Sequence, residues 1–170
     1  MQASVSLVAA PLGRAQNAGM PRHGLEEDPM SSSPNPVVIH SRRAKFEDVI
    51  EDLRLAIEAK GLVIDYQSHV NRMLERTGKD VGSAKKLYID AQAFVFCSAA
   101  LSRRTMEADP VNAALCPYSI MVYETAQAPG TLHVSYRRPW RPDGSAASKA
   151  ALLEVEKLLE GLAREALGLR

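Results

Sequence analysis

Apolar residues recur along the chain with two different spacings, and the switches between them predict the elements. Pro36–His40 is a short β-branched run and reads as a strand. From Lys45 to Lys60 the spacing becomes three and four. Phe46, Val49, Ile50, Leu53, Ala56 and Ile57 form one stripe, and Glu47, Asp48, Glu51, Asp52, Arg54 and Glu58 fill the other side. This is an amphipathic helix with acids in its first turns, and Gly61 is suited to the left-handed position that ends it. Leu62–Tyr66 reads as a second strand and Val70–Arg76 as a short helix stopped by Gly78. Lys79–Lys86 is a polar connection. In Leu87–Cys97 the second half predicts a buried strand. Ser98–Ala108 is a helix with Leu101, Thr105 and Met106 inward, and Asp109-Pro110 caps a further short turn.

Pro117–Thr125 and Thr131–Arg138 predict a hairpin through Ala128-Pro129-Gly130. In its second arm Leu132, Val134 and Tyr136 alternate with His133, Ser135 and Arg137, so one face is core and the other polar. Ser148–Leu167 is a last amphipathic helix with Leu152, Val155, Leu159, Leu162 and Ala166 in its stripe. The sum is a two-layer α+β sandwich: a mostly antiparallel sheet with helices packed on it, in the order β-α-β-α-β-α-β-β-α. There is no internal repeat.

Residues 1–36 break this pattern. Residues 13–36 are rich in Gly, Pro, Ser and Asn, which cannot bury enough surface to offset ordering entropy. The stretch is expected to be a flexible extension, with residues 37–170 forming one domain. Met30 is followed by Ser-Ser-Ser-Pro-Asn-Pro and then the first periodic segment, so the expected start of translation is Met30, with a genuine extension as the alternative. Ala3–Leu12 is mildly apolar, but no Lys or Arg precedes Arg14 and Pro11 interrupts the run, which is a poor export signal. No run approaches the ~20 apolar residues needed to span a bilayer. A soluble, cytoplasmic protein is expected.

Composition narrows the class further. The 170 residues are 46% hydrophobic and 24% charged, with 21 Lys+Arg against 20 Asp+Glu. That balance gives no overall cationic field, so a nucleic-acid partner is not expected. There is no GxGxxG, GxxxxGK[ST], GxSxG or HExxH, and no zinc-finger spacing. No catalytic motif is present, and none implies a cofactor.

The two cysteines carry what chemistry the sequence offers. Cys97 ends a buried strand where a helix begins at Ser98, a place where free amides and the helix dipole can stabilise a thiolate. Cys116, in Leu-Cys-Pro-Tyr118, precedes the next strand. His69 also follows a strand. If these junctions share one edge of the sheet, His69, Cys97 and Cys116 form a soft-metal or haem site, a redox pair, or a thiolate with its base, with Ser98 and Tyr118 alongside. Inert packing of both thiols and a structural role for His69 are the competing readings. His133 is expected on the polar face, and His40 has no partner legible in the sequence. Arg42-Arg43, Lys85-Lys86, Arg103-Arg104 and Arg137-Arg138 are basic doublets. Arg103, Arg137 and Arg138 are candidates for anion binding if they converge, against a solvated surface as the plainer reading. Trp140 is expected as a surface anchor.

Residues 37 to 139 resemble the domain-of-unknown-function 302 family of small bacterial and archaeal proteins. The matching pieces are Phe46–Lys60 with Gly61-Leu-Val63, the strand Asp65–His69, Phe94–Ser98, Met106–Pro110 with Cys116-Pro117, and Tyr123-Glu124 with Val134-Ser-Tyr136 and Pro139. The resemblance implies a compact α+β fold and a homodimer, and it carries no established activity. At two places where the family has a glycine and an aliphatic residue, this chain has Cys97 and Cys116. The resemblance therefore suggests a variant using a thiol pair, with sulfur metabolism as an associated setting. Three functions stay open: a non-enzymatic binding or accessory domain with an unknown small ligand, a thiol-based redox or sulfur-handling protein, and a metal or haem binder.

Overall fold

The computed structural model describes residues 34–83 and 85–169. The expectations for an export signal, for a start at Met30 and for most of the N-terminal arm lie outside the described residues. Asn35 and Pro36, placed in that arm by the sequence reading, are held. Arg138 Nε donates to the Asn35 carbonyl at 3.0 Å, and the Arg138 amide donates to the Pro36 carbonyl at 2.9 Å.

The element order is β1 (Val37–Arg43), α1 (Phe46–Ala59), β2 (Val63–His69), α2 (Val70–Thr77), β3 (Tyr88–Cys97), α3 (Ala99–Ala108), a 3-10 turn (Pro110–Leu115), β4 (Tyr118–Thr125), β5 (Thr131–Arg137) and α4 (Ala146–Ala166). The strands form one sheet in the order β1-β5-β4-β3-β2, and every neighbouring pair is antiparallel. This is the expected α+β sandwich. Three strands run longer than their apolar runs. β1 continues through Ser41, Arg42 and Arg43, and β2 continues to His69 past an irregularity at Asp65. Ladder hydrogen bonds are made by backbone and do not require an apolar side chain, least of all at the edges these two strands occupy. β3 uses the whole of Tyr88–Cys97 rather than its second half, because both of its sides are paired.

Alternation decides which sheet face is covered. Phe94 and Phe96 on β3, Ile120 and Val122 on β4, and Leu132 and Val134 on β5 are fully buried. Ladder partners such as Phe94↔Ile120 and Val122↔Val134 show that they share one face. Against them pack Val49, Leu53 and Ile57 of α1, and Val155, Leu159 and Leu162 of α4. Each such side chain contributes about 1.5–3 kcal/mol by leaving water. The opposite face is left uncovered, with Ile39 and Tyr66 among its exposed side chains. Among the described residues no helix is long and apolar enough to cross a membrane.

Polar contacts fix the details. α1 ends as predicted, with Gly61 at a φ of 68°. Ser98 caps α3, its Oγ accepting from the Leu101 amide, and Asp109 caps the 3-10 turn by accepting from the Val111 amide. α4 starts two residues before the predicted Ser148. Ser145 is its cap, and Ser148 is fully buried against Asn112. Asn112 Nδ2 also donates to the Thr105 carbonyl, so it ties α3 and the 3-10 turn to α4. Arg141 closes the same corner on Asp109 and Asn112, and the Val111 amide, with Arg141 second, holds the Asp109 carboxyl below its ordinary range. Trp140 is surface-exposed, with Lys149 over its ring.

His40 has a partner the sequence did not disclose. Its Nε2 lies 2.8 Å from Glu160 Oε2 on α4, and the Tyr136 hydroxyl donates to the same oxygen at 3.0 Å. Burial alone would raise the Glu160 carboxyl. The hydrogen bonds from His40 and Tyr136 and the charge of Arg164 outweigh it and lower it from its ordinary 4.5. An acid depressed on folding contributes stability that is fully present above its unfolded value and is lost as the pH falls through the folded one.

Two outcomes follow from this packing. Phe94→Ala should lose about 3–5 kcal/mol in urea unfolding, because the site cannot collapse between two paired strands. Glu160→Gln should be less stable than the parent at neutral pH, and the difference should shrink below pH 4.5. A gap that does not change with pH contradicts the role given to the Glu160 charge.

Candidate functional site

Antiparallel pairing of β3 and β4 puts the end of one beside the start of the other, with Phe96 opposite Tyr118. The connection between them, α3 and the 3-10 turn, therefore leaves and returns at one place. Cys97 is the last residue of β3, and Cys116 lies two residues before β4. Their Sγ atoms are 3.0 Å apart. Both side chains are half-buried, and both are free thiols. Cys116 precedes Pro117 through a cis peptide bond.

Two hydroxyls complete the corner. Ser102 Oγ lies 3.5 Å from Cys116 Sγ and 3.3 Å from the Tyr118 hydroxyl. The sequence reading named Tyr118 and missed Ser102. The signal was available, since Ser102 sits four residues after Ser98 and so on the same helix face. Ser98 itself acts as the helix cap and is buried.

The expectation of a stabilised thiolate at Cys97 is not met. Its thiol is pushed up to about 11, first by burial, then by the neighbouring Cys116 and by the charge of Asp65, against a weaker opposing hydrogen bond from the Tyr118 backbone. The physical reason is burial, and the start of α3 does not offset it: its Leu101 amide is taken by Ser98 Oγ. Tyr118 is also raised, mainly by burial.

His69 does not join the pair. It stands opposite Gln92 in the β2–β3 ladder, whereas Cys97 stands opposite Val63. Five residues of β3 separate those rungs, about 16 Å at ~3.3 Å per residue. It precedes α2 without a side-chain cap hydrogen bond, and its Nδ1 is buried without a partner. The soft-metal or haem set of His69, Cys97 and Cys116 thus falls into two separate places. Among the described residues no three His, Cys, Asp or Glu side chains cluster as metal ligands would.

The anion-binding candidates converge in part. Arg137 and Arg138 line one cavity of about 90 Å³ that also touches Leu115, Pro117 and Tyr118. Arg138 is already engaged by the Glu156 carboxylate. Arg103 lies elsewhere, on the outer side of α3, 3.6 Å from Glu107. His133 is on the uncovered face as expected, stacked on Tyr123 and 2.7 Å from Ser41 Oγ.

The sequence profile of the family described as "Domain of unknown function DUF302" matches residues 37–166. The chain belongs to the DUF302 family. A crystal structure of an uncharacterized conserved DUF302 protein from Bacillus stearothermophilus matches this fold with a TM-score of 0.63 at 16% identity. The match covers 77% of this chain and 98% of that one. At that identity it bears on fold alone. No curated protein matches the chain. The residues quoted for the resemblance all fall inside the matched DUF302 span. The span also reaches through the whole of α4, so that helix is part of the family's domain.

A test of this corner uses Cys116→Ser, which leaves Cys97 as the sole thiol. Burial, the largest cause of its upward shift, is untouched by the replacement. Iodoacetamide should alkylate Cys97 at neutral pH at least tenfold more slowly than an unstructured cysteine peptide. An equal rate contradicts a buried, protonated Cys97.

Proposed function

We propose that this DUF302 domain is a non-enzymatic thiol–disulfide module in which Cys97 and Cys116 form and break an intramolecular disulfide. The observation that carries the reading is the 3.0 Å separation of the sulfurs, about 1 Å beyond the ~2.05 Å of a disulfide bond. Inert packing is the poorer account, because two half-buried thiols face each other across a junction that the sheet register fixes.

The chemistry balances with a low-molecular-weight disulfide as oxidant. The Cys116 thiolate attacks one of its sulfurs and expels a thiolate, leaving a mixed disulfide on Cys116. Cys97 then releases its proton, and its sulfur attacks the Cys116 sulfur and expels the second thiolate. The protein dithiol loses two electrons and two protons, and the oxidant becomes two thiols. Burial keeps Cys97 protonated, which leaves the first attack to Cys116, and Cys97 attacks only once its proton is released. Ser102 can donate to the Cys116 sulfur as it ionises.

The structural consequence is a closed loop of about 20 residues containing α3 and the 3-10 turn, worth about 3 kcal/mol by loop-closure entropy. In a reducing cytoplasm, the expected setting, the bond would form only under oxidation, so this corner would stiffen on demand. A place in sulfur or redox metabolism fits that behaviour. The homodimer is part of the same proposal. A second copy would cover the open sheet face, where Ile39 is 51% and Tyr66 63% exposed.

The full chain, incubated with glutathione disulfide and mapped by tandem mass spectrometry, should show one Cys97–Cys116 cross-link. Dithiothreitol should reverse it, and the oxidised form should have the higher melting temperature. Two free thiols, or stable glutathione adducts without a cross-link, overturn the reading.

A further inference from the structure

A different part of the molecule carries a cavity that the thiol reading does not use. It has a volume of about 230 Å³ and lies between α2 and the stretch that leads into β3. Its wall is a built turn. The Asp80 and Val81 amides donate to the Thr77 carbonyl, the Gly82 amide to Lys79 and the Ser83 amide to Gly78 at 2.7 Å. Gly82 adopts a φ of 70°, and a Cβ on Gly78 would collide with the Ser83 carbonyl oxygen. The turn therefore holds its shape through backbone contacts that need both glycines.

Asn71, on the first turn of α2, lines this cavity and is only 8% exposed. Its Nδ2 donates to Asp90 Oδ1 at 3.1 Å, which identifies the amide nitrogen and leaves Oδ1 as the free acceptor. That Oδ1 is buried and has no hydrogen-bond partner. Buried acceptors are rarely left so, and this one, closed off from solvent, meets a ligand's donor when the Asn71 amide turns toward the cavity it lines. The rest of the lining states the ligand's charge. Lys79, Lys85 and Lys86 stand against a single acid, Glu75, a balance of +3 against −1. Among the described residues none of these lysines makes an ion pair. Leu74 and Tyr88 add an apolar surface to the same lining.

We propose that this cavity binds a small hydroxylated organic anion. Its phosphate or carboxylate meets the lysines, its carbon skeleton lies on Leu74 and Tyr88, and a hydroxyl donates to Asn71 Oδ1. Lysines act on such a head group as point charges focused by a concave wall, so binding weakens with salt. The amide adds a requirement for a donor, which a bare inorganic anion placed at the rim does not meet.

The test is a titration of the full chain followed by amide chemical shifts. Glycerol 3-phosphate and malate are the two probes, with inorganic phosphate and glycerol for comparison. At least one probe should bind at least tenfold more tightly than inorganic phosphate, with shifts centred on Asn71, Gly78 and Ser83. Whichever probe binds identifies the head group. Replacing two of the three exposed lysines, Lys85→Ala with Lys86→Ala, should weaken that binding at least tenfold without unfolding the chain. Asn71→Ala should reduce the probe's affinity to that of inorganic phosphate, and a folded spectrum confirms that the loss is local. No binding by either probe, binding no tighter than that of phosphate, or binding indifferent to the lysine replacement overturns the proposal.

Discussion

Closure of one sheet face by two helices is the constraint on which the rest depends. Phe94, Phe96, Ile120, Val122, Leu132 and Val134 must face α1 and α4 together, and that fixes the register of β3, β4 and β5. A slip of one residue would turn every one of them outward. Once Phe96 stands opposite Tyr118, the two ends of the intervening connection have no freedom to separate. Cys97 and Cys116 are neighbours because the core demands that register.

Local burial then sets the character of the pair. The same covering that protects the core withdraws solvent from Cys97, and desolvation outweighs whatever the start of α3 could offer a thiolate. The outcome is a protonated, slow thiol at Cys97, a poor choice for first attack on an outside disulfide. Elsewhere the balance runs the other way. At Glu160 the donors His40 and Tyr136 and the Arg164 charge overcome burial, and the carboxyl stays charged across the helix–sheet boundary. Asn112 and Arg141 do comparable work at the far side, fastening α3 and the 3-10 turn to α4. The thiol corner is thus attached at both ends to rigid elements.

Much of this was legible in the sequence. The three- and four-residue stripes of α1 and α4 and the alternation in β5 identified the elements and the α+β class. The strand ends were not legible from hydrophobic pattern where polar residues are paired through backbone alone, as at Ser41–Arg43, whereas the His69 end of β2 came from the family resemblance. The meeting of Cys97 and Cys116 was foreseen only as a condition, since it follows from strand adjacency, which no residue type encodes. His69 misled because a strand end looks alike at either edge of a sheet. Only the ladder shows that its end is the opposite one. Ser102 was within reach of the helix spacing from Ser98, but the His40–Glu160–Tyr136 cluster joins residues far apart in sequence, on which composition is silent. The orphaned Asn71 oxygen belongs to the same class, because a missing partner exists only in three dimensions.

The most direct measurement is the redox titration of the full chain in glutathione buffers of graded ratio, reading both cysteines in every sample. The account predicts that Cys97 and Cys116 leave the reduced state together, in one two-electron transition to an intramolecular disulfide. Two independent transitions, each ending in a separate glutathione adduct, would contradict it.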